Sequence, residues 1–482
     1  MHLRGVAWTL GVLAALFGAG MMAPALVALA DGGGLAWRFV EAGLIACLAG
    51  LALMRAGGGA PAQLGHRDGF LIVAMAWVLL SALGATPFLT TGVIASPVDA
   101  LFESASGLTT TGATVLTGLD HLPRAILFWR SMQEWLGGMG LIVLAVAVMP
   151  LLGIGGMQLF KAETPGPVKD KLTARVTETA KVLWYLYVAM TAVCALAYRL
   201  GGMGLFDAVN HAMCTVAIGG FSTHDASFGW FAGTHLRLIA ALFMFLAGIN
   251  FTLHFAALSG GFSPRSLFIY LRDDEFRAYA RWCGALLLLM MLVVVGAGAG
   301  SWDEVVFNTI SIATTTGFAV SDYATWPAGT MMMFVMAMFV GACAGSTGGG
   351  MKVVRVLLLF RQGAREIRRL IHPHAVSPVK VGDQAVDASV TQTVWGFAVL
   401  FVAGFVLIAT LVAFSGVDPV TAASAAAACI TNTGPGFGEV GPASTYAGLP
   451  AAAKGILVFG MILGRLEVFT FLVLLTPGFW RK

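Results

Sequence analysis

Four short segments rich in threonine and glycine carry the residue types that could coordinate a cation. They are Thr109–Gly112, Ala217–Gly220, Thr314–Gly317 and Thr431–Gly434. A cation that leaves water must exchange its hydration shell for protein oxygens, and rings of backbone carbonyls can supply them. Glycine permits the positive φ that turns successive carbonyls towards one axis, and threonine hydroxyls can add ligands or fix the loop. One such tetrapeptide is better explained by helix packing in a membrane, but four at similar intervals predict four copies of one ion-coordinating loop.

A short apolar stretch precedes each segment, over residues 98–110, 205–217, 303–314 and 418–430. Each stretch is too short to cross a bilayer, which takes about 20 residues, so each predicts a re-entrant half-helix. Each stretch begins near an acidic residue, a pattern typical of helix N-termini. The negative ends of the helix dipoles would then point at the loops and favour a cation. Irregular backbone at membrane depth must line a cavity or lie inside protein, so we expect the four loops to converge on one pore.

The composition of the 482-residue chain places these loops in a membrane protein. Hydrophobic residues make up 58% of the chain and charged residues only 11%, against about 25% charged in a soluble domain. Apolar runs of spanning length recur from end to end, whereas a barrel would show alternating segments of about 10 residues. The sequence therefore predicts an all-α polytopic membrane protein.

The basic residues indicate how this protein is oriented. They gather in segments 55–68, 161–181, 265–281 and 352–380 and at the final Arg481 and Lys482, although the net charge is only +4. The positive-inside rule puts these clusters and both termini in the cytoplasm and all four loops on the outer side. Because each cluster adjoins an apolar span and lacks exposed aromatic residues, a nucleic-acid partner is not expected.

The spans are arranged as a hairpin followed by four repeats. Residues 1–60 predict a two-span hairpin; a signal peptide ending near Ala30 is the alternative, but the apolar run is longer than the usual core of such a peptide. The pattern of long span, half-helix, loop and long span then recurs. It predicts four M1-P-M2 repeats with pseudo-fourfold symmetry, eight spans and four re-entrant pore helices, over residues 61–160, 161–262, 263–375 and 376–482.

A glycine-rich stretch, Gly341–Gly350, interrupts the second span of the third repeat. Its five glycines each cost about 1 kcal/mol relative to alanine in a helix, so we expect the helix to break there. A close helix crossing through small residues is the alternative.

Charged and histidine residues inside the apolar spans are the remaining candidates. Arg465 lies near the middle of the last span, where a charge is costly and usually functional; a structural ion pair with Glu467 or another acid is the alternative. Glu134, a second charge within a span, is assigned no catalytic role and is expected to face protein or lipid headgroups. His211 and His224 flank the second loop and are interpreted as hydrogen-bonding struts, because no metal-ligand spacing accompanies them.

The motifs resemble the Trk/Ktr/HKT superfamily of potassium transporters, and within it the bacterial TrkH/TrkG type. The matching stretches are Ser106–Ala113, Trp135–Gly140, Met157–Leu159, Ala162–Pro167, Ala217–Asp225, Ala344–Gly350 and Gly464–Glu467. The resemblance covers essentially the whole chain, including the hairpin that Ktr-type relatives lack. It implies a single-chain pore, and it supplies the choice of potassium, which the spacing of the loops does not.

The resemblance also implies which residues form the pathway. The filter residues that bind K⁺ would be Thr110, Thr111, Gly112, Ile218, Gly219, Gly220, Thr315, Thr316, Gly317, Asn432, Thr433 and Gly434. An intramembrane loop below the filter would act as a gate, with the residues Gly345, Ser346, Thr347, Gly348, Gly349, Gly350 and Arg465. Because the second and fourth segments depart from the Thr-Thr-Thr-Gly pattern, selectivity among potassium, rubidium and sodium could be looser, a hypothesis that cation flux measurements would test.

The expected function is potassium uptake across the bacterial inner membrane through a gated, channel-like pore. The alternative is a secondary transporter that couples potassium to protons or sodium, although acids at the membrane midplane are scarce. The sequence contains no nucleotide loop, nucleophile elbow or paired catalytic acids, so an enzyme is not expected.

The family resemblance further implies the partners. They are a second copy of the chain in a homodimer and a cytoplasmic TrkA-type ring that docks on loops 153–178, 262–280 and 355–388. No cofactor is expected in this chain, and nucleotide would act only through the partner ring.

Overall fold

A computed structural model describes residues 1–59, 64–140, 176–259, 264–373, 378–382 and 384–481. Helices form almost all of the regular structure in these ranges. Apart from the four short helices described below, they run over Leu3–Gly20, Met22–Ala30, Ala36–Gly57, His66–Gly84, Thr86–Thr90, Arg124–Trp135, Val176–Leu200, Thr234–Ala247, Phe251–Ser259, Pro264–Arg272, Asp274–Met290, Gly329–Val340, Val353–Ile371, Ala388–Phe414, Ala451–Arg465, Phe469–Leu472 and Pro477–Trp480.

The other elements are short. π-Helical turns cover Leu136–Gly140 and Met291–Val295, and 3-10 turns cover Leu119–His121, Ser227–Trp230, Tyr323–Thr325, Gly438–Val440, Tyr446–Gly448 and Val473–Leu475. Strands Lys380–Val381 and Gln384–Ala385 pair antiparallel.

Several helices are long and apolar enough to span a membrane. Within the described ranges there are six, and up to eight if each of two sharply bent helix pairs is counted as one span. Large apolar side chains such as Leu200 and Phe414 are exposed on these helices, as expected for surfaces that face lipid rather than water. The prediction of an all-α polytopic membrane protein is confirmed.

The first helices pack closely through small residues. A Cβ atom on Gly11 would lie 2.5 Å from the carbonyl oxygen of Gly50, and one on Gly18 would lie 2.7 Å from that of Gly43. Close approach of helix backbones through glycine is the usual way in which membrane helices associate. This hairpin, Leu3–Ala30 with Ala36–Gly57, packs in turn against helix His66–Gly84.

Four short helices lie directly before the four Thr/Gly segments, as the sequence predicts. We number them in chain order: short helix 1 is Pro97–Leu108, short helix 2 is Leu205–Ala217, short helix 3 is Trp302–Ala313 and short helix 4 is Pro419–Ile430. Ser96 and Asp418 accept hydrogen bonds from first-turn amides of short helices 1 and 4, and Ser301 forms a capping box with Glu304 in short helix 3. Short helix 2 has Asp207 in its first turn.

Two buried ion pairs fix the starts of short helices 1 and 3 to longer helices. Lys454 Nζ lies 2.7 Å from Asp99 of short helix 1, and an Arg237 nitrogen lies 2.8 Å from Asp303 of short helix 3. Both basic residues lie in the first turns of helices from a different predicted repeat. One pair therefore joins the fourth predicted repeat to the first, and the other joins the second predicted repeat to the third.

The glycine-rich stretch breaks its helix, as predicted from its glycine content. Helix Gly329–Val340 ends directly before Gly341, and the next helix begins at Val353. Two further breaks occur where the sequence predicts continuous spans: the chain bends by 94° between Ala247 and Phe251, and by 108° between Arg465 and Phe469. The second break leaves Arg465 at a helix end rather than in the middle of a straight span.

Candidate cation pathway

The four Thr/Gly segments adopt the same backbone conformation. The second residue of each segment has a left-handed φ: 54° at Thr110, 55° at Ile218, 68° at Thr315 and 54° at Asn432. Left-handed backbone is rare for non-glycine residues, is strongly disfavoured for a β-branched one, and clusters at functional sites. The four segments are thus equivalent in shape although their sequences differ.

Equivalent hydrogen bonds hold each of these turns. The amide of the third residue of each segment donates a hydrogen bond to the carbonyl oxygen five residues earlier, with N···O distances of 2.7–2.9 Å. The four donor–acceptor pairs are Thr111 to Ser106, Gly219 to Cys214, Thr316 to Ser311 and Thr433 to Ala428. This bond is the outer bond of a Schellman-type helix end, which satisfies helix carbonyls with a left-handed residue. Each short helix therefore ends in one fixed geometry that delivers its segment to the centre.

The segments form a closed ring. A Cβ atom on Gly112 would lie 2.1 Å from the Gly219 carbonyl oxygen, and one on Gly220 would lie 2.1 Å from that of Thr316. The other two contacts follow the same order around the ring. A Cβ atom on Gly317 would lie 2.1 Å from the Thr433 carbonyl oxygen, and one on Gly434 would lie 2.5 Å from the Thr111 carbonyl oxygen. All twelve predicted filter residues lie on this ring. Only glycine fits the fourth position of each segment, because its neighbour's backbone occupies the space of a side chain.

Threonine hydroxyls pin three of the four segments. Thr109 and Thr111 share a hydrogen bond of 2.7 Å, Thr314 and Thr316 one of 2.7 Å, and Thr431 and Thr433 one of 2.9 Å. The first threonine of each pair also donates to a carbonyl one helical turn earlier. In the fourth segment, the Asn432 amide nitrogen donates to Thr111 Oγ1 over 3.0 Å and so joins the last segment to the first.

A buried glutamate lies behind the second segment, which has no threonine. Both carboxylate oxygens of Glu134 accept a hydrogen bond from the amide of Phe221, at 3.1 and 3.2 Å. The Glu134 side chain is fully buried. Of the two surroundings expected from the sequence, protein or lipid headgroups, the structure shows protein, and the contact of Glu134 with the stretch after the second segment was not anticipated.

A second buried charge network connects the segments on their outer side. Arg130 pairs with Glu103 at 2.8 Å and donates to the Ser222 carbonyl at 2.9 Å and to Thr114 Oγ1 at 3.1 Å. Its guanidinium lies 4.1 Å from the centre of the Phe221 ring. Arg130 therefore holds the stretches that follow the first and second segments in a fixed relation.

Sequence reasoning missed Arg130 and Glu103 as parts of the site. The sequence did contain a signal for both residues, because a charged residue inside an apolar stretch at membrane depth is functional by default. Their pairing could not be read from the sequence, because it depends on how short helix 1 packs against helix Arg124–Trp135.

The glycine-rich loop lies directly against the inner ends of three short helices. Thr347 Oγ1 donates to the Val216 carbonyl at 2.9 Å, the Gly349 amide donates to Thr315 Oγ1 at 2.7 Å, and the Gly350 amide donates to the Thr431 carbonyl at 3.0 Å. A Cβ atom on Gly349 would lie 2.0 Å from the Thr431 oxygen. Three of the predicted gate residues, Thr347, Gly349 and Gly350, are thus packed against the ring and short helix 2, and only glycine fits at position 349.

Arg465 joins this loop to the first repeat. Its guanidinium donates to the carbonyls of Thr347, Gly137 and Gly138, at 3.2, 2.8 and 2.7 Å. Glu467, the ion-pair partner considered in the sequence, instead pairs with Arg355. Charge-assisted hydrogen bonds to carbonyls are about twice as strong as neutral ones, so Arg465 stabilises the loop in this position.

The two histidines beside the second segment act as struts, as interpreted from the sequence. His211 contacts the Asp207 carbonyl and the Ser222 hydroxyl, both at 2.9 Å. His224 hydrogen-bonds to Asp120, which follows the first segment, lies 3.5 Å from Asp207, and stacks on Trp230 at 4.3 Å. Within the described ranges no group of histidine, cysteine and acidic residues is suited to bind a metal ion.

The pKa of His224 predicts that the stability of the protein depends on pH. Burial alone disfavours the imidazolium, but the nearby carboxylates of Asp207 and Asp120 outweigh it and raise the pKa of His224 above its usual value. The same contacts lower the pKa of Asp120 and of Asp207 against the opposing effect of burial. A raised pKa gives stabilisation that is complete below about 6.5, the value in the unfolded chain, and is lost as the pH rises through the folded value.

We therefore expect the unfolding temperature of the purified protein to fall as the pH rises above about 6.5. In His224→Gln this part of the pH dependence should disappear. His121→Gln, which changes an exposed histidine close to Asp120, serves as the control and should keep the wild-type profile. An unchanged profile in His224→Gln would show that the ion pairs of His224 do not contribute.

These features define a class of protein: a polytopic helical membrane protein in which four half-length helices from one chain end in a closed ring of backbone segments. The TrkH family model, described as a cation transport protein, matches residues 38–481. The chain therefore belongs to the TrkH family of cation transport proteins, and the resemblance found in the sequence motifs is confirmed.

Named relatives are similar over all or most of their length. The Trk system potassium uptake protein TrkH of Vibrio parahaemolyticus is 47% identical and that of Escherichia coli strain K12 is 45% identical, each with 100% of both chains covered. The TrkG protein of E. coli K12 is 41% identical over 87% of both chains. The crystal structure of the potassium transporter TrkH from V. parahaemolyticus superposes with a TM-score of 0.90 at 44% identity, again over 100% of both chains.

Proposed function

We propose that this chain takes up potassium across the bacterial inner membrane through a gated, channel-like pore. The closed ring of four equivalent segments is the observation that carries the proposal. Backbone carbonyls on such a ring can replace the hydration shell of a monovalent cation. The names of the full-length relatives, Trk system potassium uptake proteins, supply the ion.

The twelve ring residues would form the filter, and Gly345–Gly350 with Arg465 would form the gate. The C-terminal ends of all four short helices meet the ring, so their dipoles place partial negative charge there. The loop would obstruct the path below the ring and move to open it. Each predicted repeat would contribute one segment, and both termini would lie in the cytoplasm.

Growth and flux measurements test this function. A bacterial strain without its own potassium uptake systems should grow at low potassium when it expresses the chain. Vesicles containing the purified protein should take up potassium and rubidium. Failure of both, with folded protein in the membrane, would contradict the proposal, and a sodium flux equal to the potassium flux would contradict potassium selectivity.

Electrical recording separates the channel from the coupled transporter. Unitary currents in a planar bilayer are expected for a pore. Potassium movement that ceases without a proton or sodium gradient, with no unitary currents, would instead support alternating access.

We also propose that two copies of the chain assemble with a cytoplasmic ring of nucleotide-binding subunits. Membership of a Trk system implies further Trk subunits. The predicted docking loop 153–178 lies almost wholly outside the described residues, as do the motifs Met157–Leu159 and Ala162–Pro167. Part of the third docking loop is described: helix Val353–Ile371 exposes Arg368 and Arg369. Mass measurement of the purified chain with and without the partner would show the dimer and the ring, and nucleotide would bind only the second sample.

A further inference from the structure

The second ring segment lacks the internal support of the other three. In those segments, hydroxyls at the first and third positions bond to each other at 2.7–2.9 Å. The equivalent residues of the second segment are Ala217 and Gly219, which have no side-chain donor or acceptor. Nevertheless Ile218 has the same left-handed φ, 55°, as its three counterparts. Something outside the segment must therefore provide the missing support.

The carboxylate of Glu134 occupies the space that a third-position side chain would fill. A Cβ atom on Gly219 would lie 2.2 Å from Glu134 Oε2 and 2.3 Å from the carboxylate carbon. Thr111, Thr316 and Thr433 have their side chains at this position of the other segments. The glycine and the glutamate are thus sterically complementary: a side chain at position 219 and the observed Glu134 side chain exclude each other.

The same carboxylate holds the segment by a hydrogen bond. Phe221 follows the last glycine of the second segment, and its amide donates to both oxygens of Glu134 at 3.1 and 3.2 Å. Glu134 is fully buried, so water does not compete for this bond. A buried donor that loses its acceptor carries the full desolvation penalty, so the bond strongly favours this position of Phe221.

We propose that Glu134 is the positioning residue of the second filter segment. In the second segment, the carboxylate of Glu134, which lies on helix Arg124–Trp135, provides the support that a pair of threonine hydroxyls provides in the other three segments. Through the Phe221 amide it sets the position of Gly219 and Gly220, and so the affinity and cation discrimination of the ring. This inference rests on the proposed cation transport, but its contact can also be tested without transport.

Three variants test the proposal. Glu134→Ala removes the acceptor; Glu134→Gln keeps one acceptor oxygen and nearly the same shape. The double variant Glu134→Ala with Gly219→Thr replaces the carboxylate by a threonine, as in the other segments. The backbone at Gly219 is not left-handed, so threonine is compatible with its conformation once the carboxylate is gone.

We expect Glu134→Ala to raise the apparent KM for potassium by about tenfold, since a buried hydrogen bond is lost, and to change the rubidium-to-potassium flux ratio. Glu134→Gln should stay near the wild type in both. The double variant should recover part of the loss. The proposal would be overturned if folded Glu134→Ala had the KM and flux ratio of the wild type. It would also be overturned if Glu134→Gln showed the same changes as Glu134→Ala.

Hydrogen exchange of the Phe221 amide separates this inference from the proposed function. Glu134→Ala should lose protection at Phe221 while the thermal unfolding temperature shows that the protein is folded, and Glu134→Gln, which keeps an acceptor oxygen, should retain it. If the wild type carries no cation but these protection changes occur, the transport proposal fails and the positioning role stands. Unchanged protection in Glu134→Ala would overturn the positioning role. If Glu134→Ala does not fold, Glu134→Gln decides: an unprotected Phe221 amide in folded Glu134→Gln contradicts the proposal.

Discussion

Replacing Gly112 by alanine is expected to lower potassium uptake by about tenfold or more. The new Cβ atom would lie 2.1 Å from the Gly219 carbonyl oxygen, far inside van der Waals contact, and that oxygen belongs to the ring itself. Relief of the clash must displace one or both segments by several tenths of an ångström or more. Because each ~1.4 kcal/mol of lost coordination changes binding tenfold, we expect uptake to fall by about tenfold or more. Rubidium uptake into cells or vesicles measures the loss.

Gly92→Ala is the matched control for this substitution. Gly92 has a φ of 73°, close to the 78° of Gly112, but no atom lies within 4 Å of its Cβ position. Both variants therefore have the same backbone strain of about 1–2 kcal/mol, and only Gly112→Ala alters the ring. Equal uptake by the two variants would contradict a conducting role for the ring, provided that both are folded by size-exclusion chromatography.

Replacing Arg465 by glutamine is expected to raise potassium leak through the resting protein. The substitution weakens or removes three hydrogen bonds that hold the glycine-rich loop and helix end, to Thr347, Gly137 and Gly138. Hydrogen bonds to charged groups contribute about 1.5–3 kcal/mol each, so the loss of one would shift a closed-to-open equilibrium about tenfold. The substitution also removes a positive charge that would repel cations near the path. Flux into vesicles without the partner ring measures the leak.

Arg465→Lys separates the two causes. Lysine keeps the charge but cannot make the same set of bonds, because its ammonium is a single point donor. If loop release dominates, Arg465→Lys should leak as Arg465→Gln does; if repulsion dominates, it should remain tight. Arg369→Gln, which removes an exposed arginine of helix Val353–Ile371, should not change the leak. Wild-type leak in Arg465→Gln would refute its part in the gate.

The positions of the short helices and of the ring could be predicted from the sequence because their signals are local. An acidic residue or cap begins each short helix, an apolar stretch of less than spanning length follows, and glycine ends each segment. The helix break at Gly341 could be predicted for the same reason, since glycine weakens a helix wherever the helix lies.

The supports behind the ring could not be predicted, because they depend on which helices pack together. Glu134 and Phe221 are far apart in the sequence, and nothing local relates them. The glycine at position 219 was recognised as a departure from the threonine pattern, but its cause, a carboxylate from another helix, is visible only in three dimensions. The contacts of Glu467 could not be predicted for the same reason: it is a near neighbour of Arg465 in sequence, yet it pairs with Arg355 on another helix.

The closure of the ring has a consequence for the synthesis of the chain. Asn432 bonds to Thr111 across 321 residues, and Gly434 contacts the Thr111 carbonyl, so the ring closes only after the last repeat has left the ribosome. Domains of a growing chain usually fold from the N-terminus onwards, but here the first three segments must wait, with one side open, for the fourth. A nascent or truncated chain that ends before residue 431 therefore contains no complete ring, and the membrane is not exposed to a finished pore until synthesis is nearly complete.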